Sequence, residues 1–300
     1  MKILITGANG LLGSKLVTLL IENGEEVIAT SRGASRFAVP GSMTYSSMDV
    51  TNEKEIREIF DKHKPEAVIH TAAMTHVDQC EGDRAGCWKQ NVEAVKNLVK
   101  VCEEHQSFLL HLSTDFIFDG TKKRLLEDEI PGPVNYYGES KLASERLVTT
   151  CKTSWAIART VLVYGITRDM SRSNIILWVK ESLSTGKTIK VVDDQYRTPT
   201  LAEDLAMGCY LIVKKRATGV FNISGKDMLT PYEMAIKTAD YFGLDKGLIE
   251  KTDSTTFKQP ARRPLKTGFN INKAKNILGY NPRSFDEGIA MVESQVNAGL

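Results

Sequence analysis

MKILITGANGLLGSKLVTLL, residues 1–20, is the stretch on which the reading of the chain turns. Ile3, Leu4 and Ile5 form a short apolar run, Gly7, Gly10 and Gly13 punctuate a turn, and Leu16, Leu19 and Leu20 recur at helical spacing. Strand, glycine turn and helix in that order open a dinucleotide-binding domain. Glycine removes the side chain that would hold backbone amides away from a pyrophosphate, and the helix dipole favours the phosphate charge. The spacing is GxxGxxG rather than GxGxxG. A plain strand-to-helix loop could use three glycines too, so the position directly after a strand carries the reading.

Three hundred residues suit one large α/β domain, or a nucleotide domain with a smaller appendage. Lys and Arg total 39 against 37 Asp and Glu, a net charge of +2, which gives no electrostatic case for a nucleic-acid partner or a membrane surface. Cys80, Cys87, Cys102, Cys151 and Cys209 are odd in number and lack CxxC spacing, so neither a disulfide framework nor a metal site is indicated. Residues 1–20 spell strand and helix rather than a targeting segment, and no later stretch approaches the roughly eighteen apolar residues of a membrane span. A cytoplasmic protein is expected.

A second strand is expected at Glu25 to Ser31, its end near the adenosine ribose of a bound dinucleotide. Ser31 and Arg32 follow there with no carboxylate, which favours the 2′-phosphate of NADP over NAD, although Arg32 could be a solvated loop residue. Residues 40–52 contain another strand, and Thr51 can cap the helix carrying Ile56, Ile59 and Phe60. Ala67 to His70 is a strand running into Thr71, Ala72 and Ala73, small residues that permit close ligand approach. Asn91 to Cys102 has helical spacing, and Phe108 to Leu112 is a buried strand ending at Ser113, Thr114 and Asp115.

A polar loop over Lys122 to Pro133 carries Glu127, Asp128 and Glu129, read as a solvated face. A helix then opens at Tyr136, Tyr137 and Gly138. Trp155 to Thr160 and Val161 to Gly165 continue a parallel, doubly wound sheet. Beyond it come a helix over residues 173–185, a strand from Ile189 to Val192, a short strand from Val220 to Ile223, and helices from Pro231 to Phe242 and Asp286 to Val296. The expected fold is Rossmann-type α/β: a nucleotide domain over residues 1–165, and over 166–300 mainly a small substrate lobe, with some segments returning to the body.

Tyr137 and Lys141 are four apart, one helical turn on the same face. An unperturbed phenol titrates near pH ~10. A neighbouring ammonium favours the phenolate, which makes Tyr137 a candidate general acid/base. Thr114, at a strand end, can donate to a carbonyl oxygen while a nicotinamide delivers hydride. A helical Tyr/Lys pair is common as surface decoration; the preceding glycine turn and Ser-Thr-Asp strand end favour catalysis.

These motifs resemble the extended short-chain dehydrogenase/reductases. The matching residues are TGANGLLG at 6–13, DVT at 49–51, HTAAMTHVDQCE at 70–81, Asn91, LSTDFIFDG at 112–120 and PVNYYGESKLASE at 133–145. Within that superfamily the chain is most similar to the dTDP-4-dehydrorhamnose reductase family, through Arg159-Thr160 with Tyr164-Gly165, Asp194-Gln195 with Pro199-Thr200, and Arg263-Pro264.

The resemblance implies hydride transfer from NADPH, less often NADH, to the 4-keto group of a dTDP-linked 6-deoxysugar, giving dTDP-L-rhamnose. In that scheme Tyr137 gives the proton, Lys141 lowers its pKa and holds ribose hydroxyls, and Thr114 orients the keto oxygen. Gly7, Gly10 and Gly13 meet the pyrophosphate with Asn9, Leu11 and Leu12 beside them, Ser31 and Arg32 take the adenosine side, and Asp49 and Val50 lie by adenine. Ala72, Ala73 and Thr75 line the cofactor. Val77 and Asp78 border the sugar with Thr75, joined by Asp115 and Phe116, while Arg197 and Arg263 are candidates for the nucleotide-sugar diphosphate. A homodimer is compatible with this likeness.

The chain departs from the family at Thr71 in place of Ala, at Phe116 in place of Tyr, and in a longer segment over residues 31–48. Two other readings stay open. An epimerase or dehydratase shares the triad, but the dehydratase pattern places Glu where Phe116 stands. Regulatory subunits of methionine adenosyltransferase resemble these reductases and act by docking a partner.

Overall fold

The computed structural model describes residues 1–37, 43–168 and 174–299. Its strands are β1 (Lys2–Thr6), β2 (Glu26–Ser31), β3 (Met43–Ser47), β4 (Ala67–His70), β5 (Phe108–Thr114), β6 (Trp155–Thr160), β7 (Val163–Tyr164), β8 (Ile189–Val192), β9 (Thr200–Leu201), β10 (Gly219–Asn222) and β11 (Ile249–Thr252). The helices are α1 (Leu11–Glu22), α2 (Glu53–His63), α3 (Val77–Gly82), α4 (Arg84–Trp88), α5 (Ala94–His105), α6 (Tyr136–Thr149), α7 (Ile175–Ser184), α8 (Ala202–Lys214), α9 (Pro231–Phe242), α10 (Asn272–Leu278) and α11 (Phe285–Asn297).

Seven strands form one parallel sheet in the order β10-β6-β5-β4-β1-β2-β3. The order reverses at β1 and β4, which opens a crevice at the carboxyl ends of the strands. Alternation of side chains divides the core. Ile3 and Ile5 pack on one face with Leu16 and Leu20 of α1 and Ile212 of α8. Leu4 packs on the other with Ile56 and Phe60 of α2 and Leu98 of α5. Both faces of the central strands are covered, so β1 from Ile3 on, β4 and β5 are buried along their length rather than alternating, whereas the edge strand β3 is polar and partly exposed. Outside the main sheet, α7, α9 and the β8/β11 pair pack around apolar clusters of their own.

The structure differs from the sequence reading at four places. Asn52, not Thr51, caps α2 by accepting from the Lys54 amide; the Asp49 carboxylate already holds the Thr51 amide. The helix expected from Asn91 begins as a π-helical turn over Lys89–Glu93. Val161 to Gly165 does not extend the sheet: Leu162 has φ of 36°, and only β7 is extended, pairing with β9. Glu127 is not merely solvated, because its carboxylate accepts from the Asn222 amide and its carbonyl from Arg159. Of the strand read within residues 40–52, β3 lies inside the described residues and 40–42 outside them; residue 173, the expected start of α7, lies outside too.

Candidate active site

A cleft of about 820 Å³ lies at the carboxyl ends of the central strands. Its floor is the glycine turn. Gly7 has φ of +70°, and a Cβ on Gly13 would fall 2.3 Å from the Gly7 carbonyl oxygen, so β1 and α1 approach closely only without side chains there. Gly10 caps α1 with no side-chain hydrogen bond, which leaves first-turn amides for an anion. Asn9, Leu11 and Leu12 share this wall. The Asn9 amide group donates to the Ala34 carbonyl (2.9 Å) and accepts from the Arg36 amide (3.1 Å), pinning the segment that brings Ser31 and Arg32 to the cleft.

At the end of β4 the Thr71 hydroxyl donates to the Thr6 carbonyl (2.7 Å). This departure from the family pattern therefore ties β4 to β1. Ala72, Ala73, Thr75 and Val77 follow along the cleft wall. Asn91, in the π turn, accepts from the Met74 amide (2.8 Å) and donates to Ser140 on α6 (3.0 Å), bracing that wall against the helix of Tyr137.

Thr114, Asp115 and Phe116 reach the cleft from the end of β5, and Tyr137 and Lys141 from the first turns of α6. Asn135 caps that helix, accepting from the Gly138 amide at 2.8 Å. A Cβ on Gly138 would lie 2.1 Å from the Phe116 carbonyl oxygen, so glycine there lets α6 press on the strand end. Tyr137 is buried, and burial pushes its phenol up while a hydrogen bond with Thr114 opposes the rise. Burial sets the direction, opposite to the lowering expected from the Lys141 ammonium. A phenol that keeps its proton suits an acid.

Lys141 is buried and donates to the Leu112 carbonyl (2.6 Å), with its amine 3.2 Å from His111 Nε2. Burial pushes it down to about 8, against the attraction of Glu145. His111 was not singled out from the sequence, although a histidine in the apolar run FLLHL is the available signal. Its ring stacks on His70 at 5.5 Å. Burial and the Lys141 charge hold His70 at about 3 and His111 well below its ordinary value, so both imidazoles are neutral. Thr114 directs its proton to the Asp115 carboxylate (3.1 Å) and accepts from the Phe116 amide (3.2 Å). Turning that proton to a carbonyl oxygen in the cleft breaks the Asp115 bond.

The other expected site residues divide between the cleft and the surrounding body. Val50 lines the cleft, whereas the Asp49 carboxylate turns back to the Thr51 amide. Asp78 is held by Arg263 in two parallel bonds of 2.5 and 2.7 Å, which keep its carboxyl down at about 2. Arg197 is 5 % exposed and donates to the carbonyls of Tyr196, Pro264 and Leu265. Neither arginine lines the cleft, because each fork is already filled from inside the protein. No group of three or more His, Cys, Asp or Glu among the described residues is placed to hold a metal.

A parallel Rossmann sheet, a glycine cradle and a Thr/Tyr/Lys wall facing one cleft define an extended short-chain dehydrogenase/reductase. Residues 1–297 match the family described as RmlD substrate binding domain, and the chain belongs to that family. It is 30 % identical to the probable low-salt glycan biosynthesis reductase Agl14 of Haloferax volcanii, over 97 % of this chain and 96 % of that one. It is 32 % identical to methionine adenosyltransferase 2 subunit beta of Xenopus laevis, over 80 % and 72 %. The structure of dTDP-4-dehydrorhamnose reductase from Bacillus anthracis in complex with NADP superposes with a TM-score of 0.85 at 25 % identity, covering 98 % of this chain and all of that one.

Proposed function

We propose that the protein reduces the 4-keto group of a dTDP-linked 6-deoxysugar with NADPH, giving dTDP-L-rhamnose, and accepts NADH as a poorer donor. The observation that carries this reading is the meeting of Thr114, Tyr137 and Lys141 in the cleft of the glycine turn. The uncapped start of α1 and the close approach at Gly13 fit a pyrophosphate, and Arg32 at the end of β2 fits a 2′-phosphate.

Bound there, the reduced nicotinamide supplies hydride to the carbonyl carbon. The chain supplies the rest. Thr114, released from Asp115, donates to the keto oxygen and fixes its direction. The Tyr137 phenol, kept protonated by burial, gives its proton to the oxygen as negative charge develops there. The Lys141 ammonium, anchored on Leu112, offers its remaining proton to ribose hydroxyls and stabilises the phenolate left behind. Val77 and Phe116 give the sugar an apolar wall, and Ala72, Ala73 and Thr75 a close-fitting cofactor wall.

A cytoplasmic location accords with five cysteines that are all free. No helix among the described residues is long and apolar enough to cross a membrane. A second reading, a regulatory subunit acting by docking, is favoured by the likeness to methionine adenosyltransferase 2 subunit beta. Turnover by the purified chain alone separates the two. NADPH consumed in step with the 4-keto sugar supports the reductase; NADPH bound with no consumption supports docking.

A further inference from the structure

The sequence marks two arginines, Arg197 and Arg263, as a fork for a diphosphate. Both instead serve one seven-residue segment, residues 261–267. Every residue of it is tied down. The Ala261 amide donates to Asp78 (3.1 Å), and Arg263 grips the same carboxylate bidentately. The Arg262 carbonyl accepts from Asn135 (2.7 Å), the cap of the helix that carries Tyr137 and Lys141. Arg197 holds the carbonyls of Pro264 (2.6 Å) and Leu265 (3.0 Å). The Lys266 amide donates to the Gly120 carbonyl (3.0 Å), and the Thr267 hydroxyl donates to Asp115, the carboxylate that holds Thr114.

The segment therefore touches three elements of the active-site wall: the start of α3 beside Val77, the cap of α6, and the end of β5. We propose that residues 261–267 form a strap that positions Thr114, Tyr137 and Val77 relative to one another, and that Arg263 acts through Asp78 as a positioning residue rather than as a ligand of the diphosphate. Charge-assisted bidentate pairing fixes direction as well as distance, which a solvated arginine does not. Small misplacement of reacting groups costs rate more than binding. The strap thus sets turnover and leaves nucleotide affinity alone.

The test is a double-mutant cycle in the full chain: Asp78→Asn, Arg263→Gln and both together, with Thr267→Val as an independent cut at the β5 anchor. Unfolding midpoints, the Kd for dTDP alone, the Kd for NADPH, and kcat and KM for the 4-keto sugar are measured. Each single change is expected to lower kcat about tenfold, with KM and both Kd values within about threefold, and the double variant is expected to be no worse than the weaker single. Arg263→Lys, which places one point charge where a fork stood, is expected to fold and to recover only part of kcat. A rise of about tenfold or more in the dTDP Kd for Arg263→Gln but not for Asp78→Asn would make Arg263 a diphosphate ligand and overturn the proposal. Additive losses for Asp78 and Arg263, in kcat or in unfolding midpoint, would overturn it as well. The kcat arm rests on the reductase reading; if the unaltered chain shows no turnover, that reading fails, and the thermal coupling with dTDP binding still decides the strap.

Discussion

Arg159 and Glu145 face each other through two parallel hydrogen bonds of 2.9 and 2.8 Å, both side chains about 5 % exposed. The pair joins β6 to the middle of α6, one turn below Lys141, and Arg159 also caps the Glu127 carbonyl. Two charges this deep stabilise only as a pair, because each alone pays desolvation without return. Arg159→Met is expected to lower stability by about 3–5 kcal/mol, and adding Glu145→Leu to recover part of that loss. Denaturant unfolding of the two variants checks it; a single variant as stable as the parent would contradict the pairing.

Tyr137→Phe removes the proposed proton donor and leaves the ring in its packing against Phe116. Turnover is expected to fall by about 10²–10⁴-fold, with NADPH affinity changed little, because only the transition state loses a contact. Steady-state rates and a fluorescence titration of NADPH give both quantities. Near-normal turnover would remove Tyr137 from the role of acid.

Lys141 gives two pH effects with a definite sign. Its amine is pushed down to about 8 in the fold, below the ordinary lysine value. In the proposed mechanism the ammonium is the working form, so kcat/KM is expected to decline as pH rises through about 8. For stability, the unfolded chain binds the extra proton between about pH 8 and pH 10.4, so the folded state gains on the unfolded one as pH rises across that window, by about 3 kcal/mol at most. Lys141→Met lacks this gain. The stability difference between parent and variant should grow from pH 8 to 10; a constant difference would mean the amine is not depressed.

Gly13→Ala tests the cradle. The added Cβ would meet the Gly7 carbonyl at 2.3 Å and Ala8 Cα at 2.7 Å, both backbone atoms that cannot turn aside. A loss of about 1–3 kcal/mol in stability is expected. NADPH binding should weaken by about tenfold or more, since the same shift moves the α1 amides. Calorimetry with and without NADPH reads both.

Much of this was legible because it is local. The β1 run, the glycine turn and α1 lie within 22 residues, and Thr114, Tyr137 and Lys141 each follow a signal within a few positions of themselves. What stayed hidden is long-range or conformational. Asp78 and Arg263 are 185 residues apart, and nothing in either neighbourhood names the other. Arg263 therefore reads as a free cation until the fold supplies its carboxylate. The departure of β7 from the sheet depends on the backbone at Leu162, where φ of 36° turns an apolar run that otherwise spells a strand. The neutral pair His70 and His111 follows from burial across adjacent strands, which apolar flanks suggest and sequence spacing does not.

In the proposed reaction, hydride passes from a nicotinamide to a sugar carbonyl carbon. The most direct measurement incubates the purified protein with dTDP-4-keto-6-deoxy-L-mannose and NADPH deuterated at the transferable position, and locates deuterium in the product. Deuterium at sugar C4 of dTDP-L-rhamnose, one per NADPH consumed, is the expected result. Sugar conversion without deuterium, or NADPH bound and left unchanged, would contradict the account.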